Sequence, residues 1–139
     1  MKISAVLLIA LAVVIAVVPP LTECAREGKA LATADGRQVP MKCHWTAIAS
    51  MAMAVPLLAT GVMQWFSKRK ETRRSLSILG AIMGAFVILF PTALIGVCTH
   101  PDATCNLIMR PALIFTGALV IGVNLVTLIT AERRPELAA

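Results

Sequence analysis

The chain has 139 residues, of which 58% are hydrophobic and only 14% charged, and it carries a formal net charge of +6. A soluble domain this small needs a charged surface to stay dissolved, so the balance points into lipid. The positive charge does not argue for nucleic acid, because it is confined to the flanks of apolar segments, and those segments with their short connections leave one domain, 1–139, and no extramembrane module large enough to bury its own core.

A bilayer core roughly 30 Å thick is crossed by about 20 apolar residues in helix. The first predicted span, 3–21, runs without a charge from Ile3 to Leu21, after Lys2. It has the look of a signal peptide, but Pro19-Pro20-Leu21-Thr22-Glu23-Cys24 offers no small-x-small cleavage site, and Glu23 is a poor residue before a lipoprotein cysteine. An uncleaved anchor is expected. A loop from Thr22 to His44 follows, turn-prone at Asp35-Gly36, and leads into a second span, 45–66, with Pro56 inside it. The third span, 76–97, holds Gly80 and Gly84, a Gly-x-x-x-Gly pair that lets helix backbones approach closely, and Pro91 near its end. The fourth, 107–129, is interrupted near its start by Arg110 and Pro111 and carries Asn124, expected to hydrogen-bond a neighbouring helix. Kinks are expected at Pro56 and Pro91, which lack a backbone donor. Four segments of this length cannot close a β-barrel, so the fold class is all-α, an integral membrane four-helix bundle.

Orientation follows from Lys and Arg in the short flanks. The segment Ser67-Lys68-Arg69-Lys70-Glu71-Thr72-Arg73-Arg74 has five basic residues and one acid. With Lys2, Arg133 and Arg134 on the same side, eight basic residues face the five of the opposite loops, Arg26, Lys29, Arg37, Lys42 and Arg110. Both chain ends are therefore expected in the cytoplasm (N-in, C-in) of a prokaryotic plasma membrane, crossed in several passes, with the basic run against anionic lipid headgroups or a partner as a lesser reading.

On this topology Cys24, Cys43, Cys98 and Cys105 all lie at the outer mouth, one per span, as a cysteine-rich extracytoplasmic cap. An even cysteine count in an oxidising compartment reads first as two disulfides. Local pairing, Cys24 with Cys43 and Cys98 with Cys105, is slightly favoured over cross-pairing. A second reading is a metal or haem site built from Cys43 and His44, with Met41, His100, Cys105 or Met109 completing it. Thiolate, thioether and imidazole suit copper(I), zinc or haem iron, although no Cys-x-x-Cys or Cys-x-x-Cys-His spacing is present. A third is a redox-active membrane thiol protein. No enzyme activity is expected: there is no acid–base pair, nucleophile–base pair or phosphate loop.

The run Met41-Lys42-Cys43-His44-Trp45-Thr46 opening the second span, with Ile95-Gly96-Val97-Cys98 ending the third and Cys105 before the fourth, resembles a family of small bacterial and archaeal membrane proteins catalogued as domain of unknown function 4418. The resemblance covers essentially the whole chain. It implies a four-helix membrane protein with no established activity. Family members are found beside ATP-binding and permease subunits of transporters like the macrolide exporters, some in neighbourhoods concerned with iron or other metals. The resemblance and the lack of any ATPase motif, charged intramembrane path or soluble domain make the leading expectation a non-enzymatic accessory or scaffold subunit of an ABC-type transporter. No cofactor is required on that reading. The partners expected are lipids and a permease and ATPase, or further copies of the chain, with Gly80, Gly84 and the basic loop as contacts.

Overall fold

A computed structural model describes residues 2–22, 31–98 and 102–133. Its elements in chain order are α1 (Lys2–Thr22), a short hairpin of β1 (Leu31–Ala32) and β2 (Gln38–Val39), α2 (Lys42–Phe66), α3 (Lys70–Leu89) and α4 (Arg110–Arg133). A π-helical turn, Phe90–Leu94, extends α3, and another, Cys105–Met109, leads into α4. Four helical segments, Lys2–Thr22, Lys42–Phe66, Lys70–Leu94 and Cys105–Ala131, are long and apolar enough to cross a membrane.

The helices exceed the apolar spans where the flanking residues are good helix formers. The third begins at Lys70 because Lys, Glu and Arg propagate helix readily and Glu71 suits the positive end of the helix dipole. The second begins at Lys42, so Cys43, His44 and Trp45 sit on its first turn. It passes Pro56 without a break, whereas at Pro91 and near Pro111 the helices widen into π turns.

Consecutive helices run antiparallel. The backbone at Gly61 faces Leu8 and Ile9, while Lys2 Nζ lies 5.9 Å from the Trp65 ring centroid, so α1 and α2 run in opposite directions. In the same way Gly80 faces Asn124 and Gly84 faces Val120, Ile121 and Gly117 across α3 and α4. The starts of α1 and α3 and the ends of α2 and α4 thus share one end, which carries Lys2, Lys68, Arg69, Lys70, Arg73, Arg74 and Arg133.

The packing differs from that of a soluble bundle chiefly at its surface, since Leu8, Ile15, Leu57 and Leu113 fill the interior in the ordinary way. Small and polar side chains, among them Ala5, Ala12, Thr46, Ser50, Gly80, Gly84 and Asn124, are buried, while large apolar ones such as Val55, Phe66, Phe115 and Val126 are exposed. A helix apolar on every face suits an apolar solvent, and in water such a surface drives aggregation. The tightest packing joins α1 to α2 and α3 to α4. At the second seam a Cβ on Gly117 would meet Ile88 Cγ1 at 2.6 Å and the Gly84 carbonyl oxygen at 2.9 Å, so these backbones touch only because neither residue has a side chain. The Gly80–Gly84 surface is therefore filled by α4 of the same chain and is not open to a partner.

The extramembrane hairpin is minimal: Leu31 pairs with Val39 and Ala32 with Gln38. Its turn ends at Gly36, whose φ of +74° favours glycine.

Candidate functional site

At the end opposite the basic residues three cysteines converge. Cys43, Thr46, Ala47 and Ser50 recur at helical spacing on α2 and are all buried, so this face points into the bundle. His44, one residue on, is only partly buried and stacks edge-on against exposed Trp45, with ring centroids 6.0 Å apart.

Cys98 is brought to this face by irregular backbone. Pro91 cannot donate a helical hydrogen bond, and the turn it opens closes with Ile95 N and Gly96 N both donating to the Phe90 carbonyl, at 3.1 and 3.0 Å. Gly96 then turns the chain with φ +80°, and nothing lies within 4 Å of where its Cβ would be, so glycine serves here for its conformation and not for space. Its carbonyl oxygen accepts a 2.7 Å hydrogen bond from Thr46 Oγ1. This bond fixes the segment after α3 against the first turn of α2, and Cys98 Sγ arrives 3.5 Å from Cys43 Sγ and 3.7 Å from Met41 Sδ.

Cys105 comes from the other π turn. Pro111 cannot donate to the Leu107 carbonyl, and the helix shifts register so that Arg110 N donates to the Cys105 carbonyl instead. Cys105 and Met109, four residues apart, face inward and are fully buried in the same apolar cluster as Cys43. The Sγ atoms of Cys43, Cys98 and Cys105 all lie within 4.8 Å of one another.

A bonded disulfide has an S–S distance of about 2.05 Å, so the 3.5 Å between Cys43 and Cys98 is a contact. No disulfide joins these three residues to one another. This contact crosses from α2 to the end of α3, whereas local pairing would join Cys98 with Cys105. Cys24 and His100 lie outside the described residues. Of the expected metal ligands, Cys43 and Cys105 are in the thiol group, Met41 touches it through Cys98, Met109 shares its apolar surroundings, and His44 is not a member of it.

A second polar cluster sits near the basic end. Gln64 Nε2 donates to Asn124 Oδ1 at 3.2 Å, and Asn124 Nδ2 donates to the Val120 carbonyl at 2.8 Å. Gly80 makes room for the amide, since a Cβ there would stand 2.6 Å from Asn124 Oδ1. Gln64 Oε1 and Ser77 Oγ are buried and have no hydrogen-bond partner among the described residues. Gln64 and Ser77 are missing from the sequence reading, as is any role for Thr46 and Gly96 beyond the signature. Gln64 had a signal, being the one amide in the apolar run 45–66.

The family model described as Domain of unknown function (DUF4418) matches residues 3–130. No curated protein and no solved structure matches the chain.

Proposed function

The chain belongs to the family of the domain of unknown function DUF4418, which brings no activity with it, and we propose from the site itself that the protein binds a soft metal ion, copper(I) foremost, through the thiols of Cys43, Cys98 and Cys105. The observation that carries this reading is the mutual approach of three Sγ atoms within 4.8 Å, two of them on fully buried residues. A tetrahedral thiolate site with metal–sulfur bonds of about 2.3 Å has sulfurs about 3.8 Å apart. The 3.5 Å between Cys43 and Cys98 and the 4.8 Å limit on the group bracket that value. Deprotonated thiols crowded into an apolar pocket repel one another, and a bound cation relieves the repulsion. The donors in contact include a thioether, Met41 Sδ, which suits copper(I) better than zinc, whose protein ligands are thiolate, imidazole and carboxylate.

On this reading the thiol mouth faces outward from a prokaryotic plasma membrane, because the dense basic residues lie at the opposite end. The protein is a binding module and not an enzyme. A place beside an ABC-type transporter is compatible with the site, but no contact among the described residues carries that role, and Gly80 and Gly84 are already packed within the chain.

The test is a copper(I) titration of the reduced, detergent-purified protein against a chromophoric chelator. One equivalent should bind with a sulfur-to-copper charge-transfer band, and Cys43→Ser should weaken binding by at least about 100-fold, the upper range for disrupting a metal site's immediate support. Binding unchanged in Cys43→Ser sinks the proposal. A Soret band in the purified protein would make haem the ligand instead.

A redox role is favoured by one observation, the 3.5 Å approach of Cys98 Sγ to Cys43 Sγ. Exchange with a partner's disulfide would form a Cys43–Cys98 bond and leave the partner as a dithiol, both thiol protons going to solvent or to the leaving thiolates. Peptide mapping after exposure to oxidised glutathione reads this directly. A dominant Cys43–Cys98 linkage supports it, and resistance of both thiols to oxidation removes it.

A further inference from the structure

We infer that the groove between α1 and α4 is a binding site for one anionic phospholipid, with an acyl chain along the groove and the headgroup among the basic residues at its mouth. The groove has a volume of about 500 Å³ and runs between Ile3, Ser4 and Leu7 on α1 and the stretch from Ala118 to Thr130 on α4. It exists because α1 packs tightly on α2 but only loosely on α4. Gly122 forms part of its floor, and nothing lies within 4 Å of where a Cβ there would be. The contrast with Gly117, on the α3-facing side of the same helix, marks Gly122 as facing a space the chain itself does not fill.

The shape fits a chain and the charge fits a headgroup. The helical stretch from Ala118 to Thr130 rises about 18 Å, close to the depth of one leaflet, about half of a 30 Å hydrocarbon core. The lining is aliphatic except for Ser4, Thr127 and Thr130, all toward the basic end. Thr127 and Thr130 donate to the carbonyls of Val123 and Val126 in their own helix, at 2.7 Å each, so they present methyl groups and spent hydroxyls and do not select the headgroup. Selection falls to the cations. Arg133 is exposed and follows Val126 by seven residues and Thr130 by three, which keeps it on the groove face of α4. Lys2 is exposed immediately before Ile3; its ammonium lies over the Trp65 ring on α2, 5.9 Å from the centroid, and a headgroup phosphate at the groove mouth would draw it across. A phosphate between them meets positive charge at the level where lipid headgroups lie. A neutral acyl surface such as a partner helix would use the groove but not the charges.

The inference is independent of the thiol site and is tested without metal. Delipidated protein in mild detergent is offered equal amounts of phosphatidylglycerol and phosphatidylcholine, and native mass spectrometry counts what stays bound. One phosphatidylglycerol per chain should be retained, at least about fivefold over phosphatidylcholine. Lys2→Ala combined with Arg133→Ala should abolish the preference while leaving a single bound lipid. Gly122→Leu, which fills the floor, should abolish single-lipid retention with the unfolding midpoint preserved. Equal retention of both lipids by the wild type overturns the inference, as does retention untouched by either variant. A lipid-free dimer would show that a second copy of the chain fills the groove instead.

Discussion

The two ends of the bundle each bring side chains from α2 and from the α3–α4 half together, but they do so with opposite means. At the amide end Gln64, Ser77, Gly80 and Asn124 stand on regular helix, and their meeting is set by helix spacing alone. At the thiol end Cys98 and Cys105 hang from two π turns and a glycine with φ +80°, and a hydrogen bond from Thr46 to the Gly96 carbonyl ties the Cys98 segment to α2. Irregular backbone of this kind costs stability and is concentrated in proteins where geometry serves a site. On the proposed reading the regular end is helix-to-helix adhesion and the irregular end holds the metal site. Variants at the two ends should therefore separate stability from binding.

The largest effect expected is at the thiol end and in binding. Cys43→Ser, which removes most copper(I) affinity on the reading above, places a hydroxyl in the apolar cluster and should cost the metal-free protein in detergent only about 1 kcal/mol. A collapse of the apoprotein would make the thiols structural and erase the contrast between the ends. Next in size is Thr46→Val. Losing the 2.7 Å bond to the Gly96 carbonyl frees the segment that carries Cys98, and loss of such support lowers metal affinity by about tenfold. An affinity equal to wild type would show that Cys98 is held by something other than Thr46.

Hydropathy and the placement of Lys and Arg made the four helices and their antiparallel order readable from the chain, because both are summed over about 20 residues and a single misjudged position changes little. The approach of Cys43, Cys98 and Cys105 to one end was readable for the same reason, each being anchored to a span end. Which sulfurs touch was not, since that depends on the π turns at Phe90–Leu94 and Cys105–Met109. Pro91 and Pro111 announce a disturbance but not its form, and Pro56 shows the point, being passed in unbroken helix. Nor could the pair Gly80 and Gly84 reveal whether it faces a partner or its own chain. That depends on Gly117, 33 positions beyond Gly84, meeting it across the seam.

The amide end gives smaller effects, in stability alone. Asn124→Ala removes the bond from Gln64 and the fit to Gly80, and interhelical hydrogen bonds in membranes contribute about 1 kcal/mol. Copper(I) affinity should not change, and a shift in it would join the two ends in one cooperative unit.

The smallest effect is expected at Ser77. Its hydroxyl is buried without a partner among the described residues, while buried Ser50 donates to the Thr46 carbonyl at 2.8 Å. A buried donor with nothing to bond carries a desolvation cost, and deleting it removes that cost along with one oxygen. Ser77→Ala should therefore leave the unfolding midpoint unchanged or raise it by up to about 1 kcal/mol, against a small loss for Ser50→Ala. The sign decides what the amide end is. A loss at Ser77 would mean that the hydroxyl has a bonded partner in the membrane, and the only unsatisfied acceptor described nearby in the polar cluster is Gln64 Oε1, reached directly or through a buried water. The cluster would then be a hydrated polar centre bridging α2 and α3, and no longer adhesion between helices alone.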